Sequence, residues 1–225
     1  RLLEPPDSLG NMMRLCPPLG GAWQLAGSRT GRINLRAPAL EFTRQEEALA
    51  FAHVFVKSAR ETDACLLAGS DDALAVYVNG GLLRRHEILR GCRIDEDRVP
   101  MVLGPGWNRI LLAVGNGGAA WEFVARLADP EGKPLLGVQV QARAPAELAG
   151  RIPNPQIAPR VELQHARIVP SAAHLDEGRL WVPLQMTLVN RGGKGTTPQV
   201  LTLRHGDRTV QEWTLGPAPW GHHSG

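Results

Sequence analysis

The chain has 225 residues, 43% of them hydrophobic, which is enough for one large or two small cored domains. No apolar run approaches the roughly 18 residues of a membrane helix, and a net charge of only +3 is no nucleic-acid footprint. With 25 glycines and 18 prolines spread along its length, the sequence favours many short strands joined by turns over helices.

Residues 1–40 read as loop-rich, punctuated by Pro5-Pro6, Pro17-Pro18 and Gly20-Gly21, with short strands expected around 23–25 and 33–35. The segment 46–52 has helical composition, yet His53-Val54-Phe55-Val56 is β-rich, so a strand is expected over 50–56. Strands are then expected at about 64–68, 73–78, 82–88, 99–103, 108–115 and 121–128. Asp129-Pro130-Glu131-Gly132-Lys133-Pro134 has the composition of a turn. Prolines at 145, 153, 155 and 159 stiffen the chain, and residues 149–160 read as an interdomain linker. Beyond it, strands are expected over 160–169 and 180–190, followed by a hairpin of 199–204 with 209–215.

The most informative stretch is Gly69-Ser70-Asp71-Asp72-Ala73-Leu74-Ala75-Val76-Tyr77-Val78-Asn79-Gly80-Gly81, with Pro105-Gly106-Trp107-Asn108 some twenty-five residues later. Leu74, Val76 and Val78 alternate with Ala73, Ala75 and Tyr77, as in a strand packed on both faces. Asn79-Gly80 supplies the positive φ angles of a tight primed hairpin. This order resembles the galactose-binding-like β-sandwich modules that accompany catalytic domains in bacterial extracellular enzymes, over about residues 40–130. Leu180-Trp181-Val182-Pro183-Leu184-Gln185-Met186-Thr187-Leu188-Val189-Asn190-Arg191-Gly192 is similar to the central strand of bacterial immunoglobulin-like spacer domains.

The resemblance implies an all-β chain: an antiparallel jelly-roll or galactose-binding-like sandwich over 1–148, then a minimal or partial immunoglobulin-like sandwich over 161–225. It implies a non-catalytic accessory module of a larger secreted or cell-envelope hydrolase, with carbohydrate and the neighbouring catalytic domain as partners. Two alternatives stand beside it: a purely structural spacer, or the amino-terminal part of an esterase or peptidase whose active site lies beyond residue 225. The residues carry no Gly-x-Ser-x-Gly elbow, HExxH, Walker loop or dinucleotide fingerprint, so catalysis is not expected within them.

Candidate ligand residues follow from chemistry. Asp71 and Asp72 are adjacent hard-oxygen ligands suited to Ca²⁺, and equally suited to capping backbone amides in a turn. Tyr77 would stack on a sugar if it faced outward, and Asn79 serves either the turn or a ligand. Arg84 and Arg85, with Arg90 and Arg93, form a basic hairpin that offers bidentate contacts to acidic polysaccharide or protects a sheet edge. Trp107 and Trp121 are both expected to point inward and pack in the core. Cys65 is either a buried free thiol or the partner of Cys92, and Cys16 has no evident mate.

Overall fold

In the computed structural model, Asn79 and Gly80 both take positive φ, 52° and 88°, and close a two-residue hairpin between paired Val78 and Gly81. The structure describes residues 23–42, 45–155, 157, 160–192, 198–205, 207–217 and 221–224. These divide into two compact units, Arg1–Ile157 and Ala158–Gly225.

The first unit contains β1 (Arg32–Asn34), β2 (Ala48–Ser58), β3 (Thr62–Ser70), β4 (Leu74–Val78) and β5 (Gly81–His86). It continues with β6 (Asp97–Leu103), β7 (Gly106–Asn116), β8 (Glu122–Ala128) and β9 (Val138–Gln141). They pair antiparallel into a four-stranded sheet, β1-β8-β3-β6, and a five-stranded sheet, β5-β4-β7-β2-β9, in an all-β sandwich arrangement. At the centre of the larger sheet both faces are buried. Leu74, Val76, Val78, Ile110 and Val114 fill one face; Ala73, Ala75, Tyr77, Leu111 and Ala113 fill the other, against Trp23, Phe51 and Leu82. Burial on both faces explains why these strands read as nearly continuous apolar runs.

The outer face of the smaller sheet carries Cys65, Leu67 and Ala128. The turn after β8 lies over it: Asp129 Oδ1 accepts the Glu131 and Lys133 amides at 3.1 and 2.8 Å, and Arg126 donates to the Gly132 carbonyl at 3.1 Å. Cys65 and Cys92 are both free thiols, so they do not pair; Cys16 lies outside the described residues. No strand forms at 23–25. Trp23 instead lays its ring against His53 of β2, with centroids 3.8 Å apart.

The proline-rich stretch after residue 149 differs from a free linker. Through Ile157 it belongs to the first unit, with Pro153 and Ile157 buried. A Cβ on Gly104 would stand 2.3 Å from Pro155 Cβ, so the strap needs glycine beneath it.

The second unit contains β10 (Val161–Ile168), β11 (His174–Asp176), β12 (Arg179–Trp181), β13 (Leu184–Asn190), β14 (Pro198–His205), β15 (Arg208–Pro217) and β16 (Gly221–Ser224). Its sheets are β10-β13-β16, β11-β12 and β14-β15. The single strand expected over 180–190 is two strands, β12 and β13, which separate at Pro183. Proline has no amide N–H to donate to a ladder, and the Pro183 carbonyl accepts the Val169 N–H at 2.9 Å. No described helix is long and apolar enough to cross a membrane.

Candidate functional site

The loop between β5 and β6 is held by a buried polar cluster. Arg90, its side chain 9% exposed, donates to the carboxylate of Asp97, 2% exposed, and to Ser70 Oγ at 2.9 Å. Its other nitrogen lies 3.5 Å from Glu96, and His86 Nδ1 lies 3.0 Å from Asp97. Burial, and next the Arg84 guanidinium, hold His86 below the usual histidine range despite Asp97. Gly69 is required underneath, because a Cβ there would stand 1.7 Å from the Arg93 carbonyl oxygen.

Asp72 belongs to this anchor. Its φ is 62°, and its N–H donates to the Arg90 carbonyl at 2.8 Å. Its Oδ1 accepts the Arg90 amide at 3.2 Å and its Oδ2 the Gly117 amide at 2.9 Å. With both oxygens directed at backbone amides, Asp72 acts as a turn cap. Asp71 is pushed above the ordinary carboxylate range, first by burial and then by the charges of Asp72 and Glu122. Among the described residues, no three His, Cys, Asp or Glu side chains converge as a metal site.

Tyr77 is 1% exposed and lies within the apolar cluster, so it offers no ring to a surface ligand. Asn79 is also internal to the fold. Its Oδ1 accepts the Arg109 amide at 2.8 Å and its Nδ2 donates to Asn108 Oδ1 at 2.9 Å. Asn108, fully buried, clasps Gly104 by donating to its carbonyl and accepting from its amide, both at 2.9 Å. The Asn79-Gly80 and Gly106-Trp107-Asn108 motifs are thus two halves of one clasp between hairpins. Arg85 pairs with Glu87, and Arg84 is half-buried, so the basic hairpin is partly neutralised by its own acid.

Beside Asn79, Arg109 is 1% exposed and directs its Nε and Nη2 at His53 Nδ1, 3.2 and 3.0 Å away. Burial first, then the Arg109 charge, lower the His53 pKa from 6.5 to about 4. Because the folded value lies below the unfolded one, charging His53 opposes folding. Its contribution is intact above pH 6.5 and is lost as pH falls toward 4. Urea midpoints of wild type and His53→Gln, measured from pH 7 to pH 4, are therefore expected to converge as pH falls. Parallel curves would remove His53 from the acid response.

Trp107 does not enter the core. It stands partly exposed on β7, and its indole N–H donates to Glu147 Oε1 at 2.6 Å. Lys57 Nζ lies 5.4 Å from the ring centroid and 3.9 Å from Glu147. The indole hydrogen bond, more than the Lys57 charge, holds Glu147 below the usual carboxylate range. Registers pair Trp107 with Lys57 and Lys57 with Gln139, which places the three on one face. Sequence reading missed Lys57, Gln139 and Glu147; the alternation Val138-Gln139-Val140-Gln141 was the local signal for β9. Trp121, in contrast, is 1% exposed and donates its indole N–H to the Val114 carbonyl at 3.2 Å.

Neither a protein-family model nor a curated protein sequence matches this chain. Among solved structures it is similar to a GH2 β-galacturonidase from Eisenbergiella tayi bound to galacturonate, and to that enzyme bound to glycerol. Each is 9% identical with a TM-score of 0.32, and the alignment covers 92% of this chain. The chain spans 33% of the length of that enzyme.

Proposed function

We propose that this chain is a non-catalytic accessory module of a larger secreted or cell-envelope hydrolase, and that its first unit binds carbohydrate. The observation that supports this is the placement of Trp107. A large aromatic stands partly exposed on the sheet with a carboxylate and an ammonium beside it and an amide two strands away on the same face. Indole has an apolar face that takes the C–H side of a sugar ring, while the flanking polar groups take its hydroxyls. The membership in a hydrolase rests on the sequence resemblance around Gly69–Gly81 and Gly106–Asn108.

Trp107→Ala is expected to abolish binding on a glycan array while costing about 1 kcal/mol of stability or less, as for a surface position. Wild type should bind with sub-millimolar affinity, about −4 kcal/mol or stronger. Retained binding in a folded Trp107→Ala protein would sink the assignment of this face.

A second reading, that the domains serve packing and spacing, draws on exposed apolar side chains. Leu175 and Leu180, directly paired on one face of the β11-β12 hairpin, are 74% and 67% exposed, as on a face that meets a neighbour. A clean negative across neutral and acidic glycans, with folded protein, would favour it.

A further inference from the structure

We infer that the Trp107 face takes an uncharged glycan chain of at least two linked sugar units, laid across the strands from β7 over β2 to β9. This rests on the carbohydrate reading and adds to it the ligand's charge, minimum length and direction. Trp107, Lys57 and Gln139 occupy directly paired positions on three adjacent strands. Neighbouring strands are about 4.8 Å apart, so the row runs roughly 10 Å from the first strand to the third. One sugar ring stacked on Trp107 leaves Gln139 unreached, whereas a second linked ring extends over Lys57 toward it. Gln139 is exposed and Lys57 is half-exposed, so both can meet a ligand from solvent. In the next row Gln141 is already engaged, donating to the Arg143 carbonyl at 2.8 Å, which leaves Gln139 as the amide of this platform.

The charge preference follows from the groups around the ring. Glu147 lies 2.6 Å from the indole nitrogen, so an anionic sugar on Trp107 would bring its carboxylate beside another. Lys57, the cation nearest the ring, already stands 3.9 Å from Glu147, and the two charges offset each other. Neutral hydroxyls suit the set better: Lys57 and Gln139 donate, and Glu147 accepts. The competing anion-binding candidate, the arginine hairpin, turns Arg85 to Glu87 and buries Arg90 against Asp97.

The test is titration calorimetry of the whole chain with glucose, mannose and xylose homo-oligomers of one to four units, and with uronic-acid oligomers of the same lengths. At least one neutral series is expected to gain tenfold or more in affinity from one unit to two, and to exceed uronates of equal length at least tenfold. Gln139→Ala should weaken the disaccharide several-fold and leave the monosaccharide unchanged, while Trp107→Ala should remove both. Length-independent affinity, a silent Gln139→Ala, or preference for uronates would overturn this inference and leave the carbohydrate reading standing. Absence of binding by every oligomer, with the protein folded, would overturn both.

Discussion

Asp97→Ala is expected to destabilise the first unit by about 3–5 kcal/mol, the cost of leaving a buried charge without its partner. Arg90 is the charge left behind. Its side chain is 9% exposed and its terminal nitrogens are directed at Asp97, Ser70 and Glu96. Removing Asp97 strips away the buried acid paired with Arg90 and also the carboxylate facing His86. Glu96 remains 3.5 Å from the other nitrogen, but its side chain is 30% exposed and pairs more weakly. For a unit of this size the loss corresponds to a fall of roughly 10 °C in melting temperature. Replacing Arg90 by leucine as well should recover part of it, because the double variant no longer buries an unpaired guanidinium. A single variant within about 1 kcal/mol of wild type, or strictly additive losses in the double variant, would show that the pair does not anchor the loop.

Features set by near neighbours in sequence were legible. Asn79-Gly80 needs two positive φ angles and states that need in its residue types; the turn at 129–134 does likewise. The apolar run 73–78 announced a strand buried on both faces, and the structure buries every residue from Leu74 to Val78. The same double burial hid the orientation of Trp107. Along β7 both alternating sets are apolar farther on, so period two carries no sign at its first residues. What brings Trp107 to the surface is its position at the sheet end, opposite Lys57, and the chain that returns Glu147 forty residues later. Asp72 and Tyr77 are taken up by the fold for a related reason. Composition showed suitable chemistry, but the amides of Arg90 and Gly117 and the packing of the sheet face claimed it for the fold.

The two tryptophans expected to behave alike should instead separate by several kcal/mol. Trp121→Ala is expected to cost about 3–5 kcal/mol, the range for deleting a large buried aromatic. The ring is 1% exposed, packs against Phe42 with centroids 5.2 Å apart, and spends its polar N–H on the Val114 carbonyl within the sandwich. Truncation would leave both a cavity and a β7 carbonyl without its indole donor, and the two losses act in the same direction. The backbone at this position also accepts the Leu35 amide at 2.8 Å, so relaxation into the cavity would pull on the segment after β1. Trp121→Phe should recover part of the loss by refilling volume while still lacking the N–H. Trp107→Ala, measured beside it by urea unfolding, should move the midpoint little, since its hydrogen bond to Glu147 is made in solvent. Equal losses for the two variants would mean that Trp107 is held as a core residue, and the platform assigned to it would then have to be abandoned.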